Sequence, residues 1–257
     1  TKMEQRYGIP YFEGSFYGIS DMSETLRQIA KLLVQQGADA ELLERAGLHV
    51  VADAAEDGVR YPLVLVLPPR QREEARALLA RAVQLASPGG VVVAAMTNNE
   101  GAKSGEADLK QLAGLAGTLT KFHCRTFWTR PLGERTDEAM LWQWSALDAP
   151  RRIEGGRFLS RPGVFAWNRI DPASALLVEC LPNDIAGHGA DLGAGWGFLS
   201  LSLLARNPAI TALDLYEAEA RALALAKANL LDVGSSAALH FHWHDVTAGL
   251  PERYDFI

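Results

Sequence analysis

From about residue 61 onward, short apolar runs alternate with segments in which apolar residues recur every three or four positions. The first pattern is typical of buried strands and the second of amphipathic helices. Residues 63–67 and 91–96 are therefore predicted strands, and residues 72–85 and 106–115 are predicted helices. Strands that alternate with helices favour a mostly parallel sheet with helices on both faces, so the predicted fold class is α/β.

The first half of the chain is predicted to end in two strands, at residues 118–129 and 139–147. No helix separates them, which favours an antiparallel hairpin at one edge of the sheet. Upstream of the alternating region, the pattern predicts a helix over residues 23–36 and a strand over residues 48–52.

A glycine-rich stretch dominates the second half of the chain. Gly193, Gly195 and Gly197 follow a short apolar segment that ends in Asp191, and a helical pattern begins at Phe198. A phosphate-binding loop would need a Lys followed by Ser or Thr after its last glycine, and a dinucleotide-binding fold would need its third glycine at position 198. The D-x-G-x-G-x-G pattern instead resembles the first motif of class I S-adenosylmethionine-dependent methyltransferases. An ordinary glycine-rich turn between a strand and a helix is the alternative.

Two acidic residues follow the next two predicted strands. Residues 209–214 end in Asp214, and residues 239–245 end in Asp245. An acid at the end of the second strand can accept hydrogen bonds from ribose hydroxyls, so Asp214 is the predicted ribose ligand. Asp245 is placed to meet an adenine amino group. Either residue alone would also serve as a helix cap.

Charge is distributed unevenly along the 257 residues. The net charge is −6, yet residues 121–169 contain nine basic and five acidic side chains. Lys121, Arg125, Arg151 and Arg152 are candidate contacts to RNA phosphates. The alternative is a set of solvated arginines between two acidic regions. Two cysteines without metal-ligand or redox spacing, and the lack of a long apolar run, favour a cytoplasmic protein without a membrane segment.

Three histidines alternate along the third strand of this region. His240, His242 and His244 share one face and therefore resemble a set of metal ligands. No fourth ligand is evident in the sequence, and Phe241 and Trp243 fit simple packing of the opposite face. The sequence therefore predicts no metal site.

An internal repeat suggests that the chain contains two copies of one fold. An Arg-Tyr pair leads into an apolar segment at residues 60–61 and again at residues 253–254. The first copy lacks a glycine triplet and is expected to bind no nucleoside. The second copy stops where its fourth strand begins. The predicted organisation is a first domain over residues 1–147, a linker over 148–160 and a second domain over 161–257.

Three segments carry a more specific resemblance. They are RPGVF at 161–165, DLGAGWG at 191–197 and YDFI at 254–257. In order and spacing they are similar to the small-domain methyltransferases of the RsmC and RlmG type, which methylate guanine N2 in ribosomal RNA. The resemblance implies two tandem Rossmann-like methyltransferase domains, the first degenerate and the second cut off near its fourth strand. The degenerate copy is expected to bind RNA, and ribosomal RNA or a ribosomal subunit would be the partner.

The resemblance also implies S-adenosylmethionine as cofactor and a set of residues that bind it. Those residues are Asp191, Gly193, Ala194 and Gly195 along the glycine turn, Asp214 at the ribose, Asp245 at the adenine and Phe165 over the site. The catalytic Asn-Pro-Pro-Phe motif of the family is absent. We expect roughly 80 further residues after Ile257, which begin with one or two apolar residues followed by this motif. Alternatives are methylation of another amino group, such as adenine N6 or a protein glutamine, and a non-catalytic RNA-binding or assembly module.

Overall fold

The computed structural model describes residues 59–133, 136–231 and 234–257. The predicted helix at 23–36 and the predicted strand at 48–52 lie outside the described residues. The first half contains these elements: β1 (Tyr61–Val66), α1 (Arg72–Leu85), β2 (Ala86–Thr97), α2 (Ala102–Ala113), β3 (Gly117–Lys121), β4 (Cys124–Trp128) and α3 (Glu138–Ser145). The predicted α/β class is thereby confirmed.

The first sheet has the strand order β1-β2-β4-β3. Strands β1 and β2 are parallel, whereas β4 pairs antiparallel with both β2 and β3. The β3–β4 hairpin turns at Phe122 and His123, which have positive φ angles of 53° and 60°. The predicted hairpin is therefore contained within residues 117–128, and its second strand is not the segment at 139–147.

That segment was predicted to be a strand, and the prediction is wrong because residues 138–145 form helix α3. Asp137 caps the helix by accepting a hydrogen bond from the Met140 amide at 2.9 Å. Leu141 and Trp144, three positions apart, are buried in the first core. The N-cap and the helical spacing of these two buried residues thus favour a helix over a strand.

The second half contains β5 (Arg151–Ile153), β6 (Phe158–Ser160), α4 (Pro172–Cys180), β7 (Gly187–Leu192), α5 (Phe198–Arg206), β8 (Ile210–Glu217), α6 (Ala220–Leu230) and β9 (Ala238–Trp243). Strands β5 and β6 form a two-stranded antiparallel sheet within the predicted linker. Among the described residues, no helix combines the length and the apolarity that crossing a bilayer requires.

The second sheet is parallel, in the order β7-β8-β9. On the free side of β7, Gly189 forms a parallel bridge to Phe256, and the Ala190 amide donates to the Phe256 carbonyl at 3.1 Å. A Cβ at Gly189 would lie 2.1 Å from the Phe256 ring, so this close approach requires glycine. With the segment at Phe256 outside β7, the strand order is that of one half of a Rossmann-type sheet.

Each of the two larger sheets packs against its own apolar core. Strands β1, β2 and β4 bury one face against α1, α2 and α3, and β8 buries Leu213 and Leu215 against α5 and α6. Glu74 of α1 and Arg221 of α6 join the two parts through an ion pair of 2.7 Å. Both side chains are largely buried, so the two parts meet at a charged contact.

Candidate functional site

The glycine turn connects β7 to α5. Gly193, Gly195 and Gly197 have φ angles of 78°, 55° and 89°, which side chains with a Cβ rarely adopt. The amides of Gly193 and Ala194 both donate to the Tyr216 carbonyl, at 2.9 and 3.0 Å, which fixes the turn on the neighbouring strand.

The three glycines have different surroundings. A Cβ added at Gly193 or Gly195 would meet nothing within 4 Å, whereas a Cβ at Gly197 would lie 3.2 Å from Leu230 and 3.3 Å from Ala226. Gly197 therefore allows α5 to pack on α6. Gly193 and Gly195 leave an open space next to the backbone, where a ligand can approach the main chain.

Asp191, the penultimate residue of β7, is bound to the helix that follows the turn. Ser200 of α5 donates to Asp191 Oδ2 at 2.5 Å. Burial raises the pKa of the Asp191 carboxyl, and the hydrogen bond from Ser200 partly offsets this rise. The carboxyl group is thus held in place beside the open side of the turn.

The structure corrects the predicted position of Asp214. Strand β8 does not end there but continues to Glu217, so Asp214 lies three residues inside the strand. Its carboxylate contacts three imidazoles, those of His188, His240 and His242. Burial alone would raise the pKa of Asp214, but the hydrogen bonds from these histidines hold it below its ordinary value. Both oxygens of Asp214 are therefore engaged away from the glycine turn.

Glu217 occupies the position that was predicted for Asp214. Its Oε2 accepts a hydrogen bond from the Gly195 amide at 2.8 Å, and its Oε1 accepts one from the Glu219 amide at 2.7 Å. The carboxylate at the end of β8 is thereby attached to the glycine turn itself. Glu217 was not predicted, because the strand was expected to end three residues earlier; the apolar alternation that continues through Leu215 was the available signal.

Asp245 and Phe165 border the same region from two sides. Asp245 follows β9, is exposed, and accepts a hydrogen bond from the Thr247 amide at 2.9 Å, which lowers the pKa of its carboxyl. The Phe165 carbonyl accepts a hydrogen bond from the indole of Trp196, within the turn, at 3.1 Å. Phe165 as a whole is 72% exposed. Asp245 is thus at the carboxyl edge of the second sheet, and Phe165 lies against the glycine turn.

The four candidate RNA-binding side chains differ in their availability. Arg125 forms an ion pair with Glu106, and Arg151 forms one with Glu73 at 2.7 Å. Lys121 is exposed at the end of β3, and Arg152 is exposed and donates to the Gly156 carbonyl at 2.8 Å. Lys121 and Arg152 therefore keep their charge accessible, whereas Arg125 and Arg151 already neutralise carboxylates of the protein.

Comparison with known proteins agrees with this geometry. Residues 155–257 match the family model "Methyltransferase small domain". Ribosomal RNA small subunit methyltransferase C of Sodalis glossinidius is 30% identical over 209 residues, which are 81% of this chain and 57% of that protein. A solved structure of RsmC, the T. thermophilus 16S rRNA N2 G1207 methyltransferase in complex with AdoMet and guanosine, superposes with a TM-score of 0.65. It is 23% identical, and the match covers 84% of this chain and 60% of that one, which supports the same fold.

A second, shorter similarity concerns a different kind of protein. The nitrogenase iron-molybdenum cofactor biosynthesis protein NifE of Bradyrhizobium diazoefficiens is 65% identical over 54 residues, which are 21% of this chain and 10% of that protein. The match to the Sodalis protein leaves about a fifth of this chain uncovered, similar in size to the NifE match. The chain spans about half the length of its methyltransferase relatives and about a tenth of NifE.

Proposed function

We propose that the protein transfers a methyl group from S-adenosylmethionine to guanine N2 of ribosomal RNA, because the chain is similar to the RsmC-type small-domain methyltransferases. The observation that carries this proposal is the glycine turn to which the Glu217 carboxylate is hydrogen-bonded. An open backbone face and a carboxylate beside it suit the two ends of a nucleoside that carries an amino acid, and the carboxylate ends a strand as in other nucleoside sites.

The proposed site residues would contact successive parts of the cofactor along the carboxyl edge of the second sheet. Gly193, Ala194 and Gly195 would accommodate the methionine end together with Asp191, because no side chain fills the space above the two glycines. Glu217 replaces Asp214 as the proposed acceptor for the ribose hydroxyls. Asp245, whose Oδ1 already caps the turn that follows β9, would accept a hydrogen bond from the adenine amino group.

The bound cofactor would supply a methyl group that its sulfonium makes electrophilic, and the residues described above would bind and orient the cofactor. The Phe165 segment, attached to the turn through Trp196, would form one wall of the entrance. A target base must leave its stack to reach such a site, at a cost of a few kcal/mol that a single-stranded target reduces. The sequence of this chain contains no Asn-Pro-Pro motif, so we assign no residue to the orientation of the target amine.

The first half is proposed to hold the RNA. We propose a division into a degenerate methyltransferase-like domain at 1–147, a linker at 148–160 and the cofactor-binding domain at 161–257. The described residues of the first half support this division, because they form an α/β unit with its own apolar core. Lys121 in this half and Arg152 in the adjoining linker are the proposed phosphate contacts, whereas the paired Arg125 and Arg151 would stabilise the fold.

Methylation of ribosomal RNA followed by mass spectrometry of the digested nucleosides tests the proposed reaction. The expected product is N2-methylguanosine, formed only when S-adenosylmethionine and the whole protein are both present. Methylated adenosine as the sole product would move the activity to another amino group. Tight RNA binding without any cofactor binding would leave only the assembly-module alternative.

A further inference from the structure

Four polar side chains from three neighbouring strands meet on one face of the second sheet. They are His188 of β7, Asp214 of β8, and His240 and His242 of β9. Leu213 and Leu215 of β8 pack against α5 and α6. Because successive side chains in a strand point to opposite faces, Asp214 lies on the face that these helices do not cover.

The ligand atoms of three of these residues converge. His188 Nε2 is hydrogen-bonded to Asp214 Oδ2, and His240 Nδ1 lies 3.3 Å from the same oxygen. The three ligand atoms all lie within 4.8 Å of one another. The fourth residue, His242, approaches from the other side, with Nε2 2.5 Å from Asp214 Oδ1.

The carboxylate of the cluster is buried, whereas two of its imidazoles are partly exposed to solvent. The Asp214 side chain is 6% exposed, whereas the His188 and His240 side chains are 32% and 51% exposed. The carboxylate is therefore held by the sheet, and the two imidazoles can adjust and can be reached from solvent. An ion that enters between them meets two nitrogens and one oxygen.

This donor set suits a zinc-class ion. Zinc binds imidazole nitrogen and carboxylate oxygen at about 2.0–2.2 Å, so tetrahedral neighbours are about 3.4 Å apart. The separation of 3.3 Å between His240 Nδ1 and Asp214 Oδ2 matches that distance. The His188–Asp214 hydrogen bond would be replaced by two bonds to the ion. His242 would keep its hydrogen bond to Oδ1, as groups behind metal-ligating carboxylates commonly do.

We propose that His188, Asp214 and His240 bind one divalent cation of the zinc class, with His242 orienting the carboxylate and solvent at the remaining position. The site would connect three adjacent strands and so stabilise the second sheet. It is separate from the glycine turn, because His188 is the second residue of β7 and the turn follows the last residue of that strand. The proposal therefore does not depend on the proposed methyl transfer.

The competing account is a network of hydrogen bonds without an ion, in which each imidazole donates one N–H to Asp214. A carboxylate has about four acceptor positions, enough for three donors. The two accounts differ in what happens when a metal is offered. A closed network gains nothing from the ion, whereas a metal site binds it stoichiometrically and gains stability.

Titration of the untagged, chelator-treated protein with Co²⁺ and Zn²⁺ distinguishes them. The readouts are the visible absorption of bound Co²⁺, the heat of Zn²⁺ binding and the melting temperature. His240→Gln is the main variant, because its half-exposed side chain can be replaced without opening the core. His244→Gln is the matched control, since His244 lies just beyond β9 and bonds to the Gly249 carbonyl instead. His242→Ala tests the orienting role.

The proposal requires one Co²⁺ or Zn²⁺ per chain, a higher melting temperature with metal, and loss of both effects in His240→Gln but not in His244→Gln. His242→Ala should weaken binding by roughly 10–100-fold, the range for groups that orient metal ligands. The proposal is overturned if the wild-type protein binds neither ion. It is equally overturned if His240→Gln binds them as tightly as wild type, because the ion would then be held elsewhere.

Discussion

Gly195 combines a positive φ of 55° with an open space where its side chain would be. Gly195→Ala should therefore cost about 1–2 kcal/mol of stability, from backbone strain. The new methyl group would also project into the space proposed for the cofactor, so binding of S-adenosylmethionine should weaken. Thermal unfolding and titration calorimetry measure the two effects.

Gly234 is the matched control for that variant. Its φ is 70°, and a Cβ there also meets nothing within 4 Å, but it lies between α6 and β9, at the opposite edge of the sheet. Gly234→Ala should lose stability and keep its cofactor affinity. Equal losses of affinity in both variants would mean that the turn has no special part in binding.

Among single residues, the sequence identified those whose signal is local. The glycine spacing and Asp191 stand next to each other in the chain, so the turn was predictable. Glu217 was missed because strand ends carry little sequence signal: Asp214 and Glu217 are both acids in one apolar segment. The contact of His188 with Asp214 was beyond prediction, because 26 positions separate the two residues and strand register decides their meeting.

At the scale of elements, Asn229 of α6 connects three pieces of the second half. Its amide group donates to the Leu159 carbonyl at 2.9 Å and to the Trp196 carbonyl at 2.8 Å, and its Oδ1 accepts from the Leu159 amide at 2.6 Å. One side chain thus joins β6, the glycine turn and α6. These bonds are largely shielded from water.

We expect Asn229→Ala to lower the free energy of unfolding by about 1–3 kcal/mol, because partly buried backbone groups lose their partners. Chemical denaturation monitored by circular dichroism measures the change. Ala224→Lys, at an exposed position of the same helix, should stay within about 0.5 kcal/mol of wild type. A loss no larger than that in Asn229→Ala would show that these hydrogen bonds do not hold the elements together.

Helices α1 and α3 show which kind of element the sequence pattern predicts correctly and which kind it does not. The prediction of a helix over 72–85 is confirmed to the residue, because 14 amphipathic positions give a clear period and Gln71 caps the start. The eight residues of α3 contain a short apolar run with two tryptophans. Such runs do not distinguish a strand from a helix by periodicity alone, so packing against the first core decided between them.

At the scale of the whole molecule, the Glu74–Arg221 contact makes stability depend on pH. Burial raises the pKa of the Glu74 carboxyl above the ordinary value of 4.5, although Arg221 counteracts the rise. The folded protein then keeps a proton on Glu74 at pH values at which the unfolded chain has lost it. The contribution of this group to stability therefore falls as the pH rises from 4.5 toward the raised pKa.

Glu74→Gln removes that titration and keeps the shape of the side chain. The variant should gain stability relative to wild type as the pH rises through this window, as measured by denaturation at several pH values. Glu73→Gln, a neighbouring carboxylate that is 38% exposed, is the control. A wild-type advantage that grows with pH would contradict the assignment of burial as the dominant cause.

RNA binding by the first half and the adjoining linker should depend on the salt concentration. Lys121→Ala combined with Arg152→Ala should weaken binding of single-stranded RNA and reduce the slope of log K against log salt by roughly 0.7 for each phosphate that the protein no longer neutralises. Arg70→Ala with Lys110→Ala removes the same charge from other exposed positions. A similar reduction in both double variants would point to net charge rather than to a defined RNA surface.

The similarity to NifE is much shorter than the similarity to the methyltransferases. It involves 54 residues and a tenth of that protein, whereas the methyltransferase similarity involves 209 residues and a solved structure with the same fold. The described residues contain the glycine turn, the three sheets and the histidine cluster. The proposed function therefore rests on residues 155–257, which match the methyltransferase family model and contain the glycine turn.

Equilibrium binding of radiolabelled S-adenosylmethionine to wild type, Glu217→Ala and Asp214→Asn tests directly whether the glycine turn and Glu217 bind the cofactor. Wild type should bind one molecule per chain. Glu217→Ala should weaken binding by about 1–3 kcal/mol, the range for losing a polar partner in a site. Asp214→Asn should leave the affinity unchanged, because its carboxylate bonds to histidines away from the turn. Two results would contradict cofactor binding at the glycine turn and Glu217. One is the lack of saturable binding by the folded wild-type protein, and the other is a loss of affinity confined to Asp214→Asn.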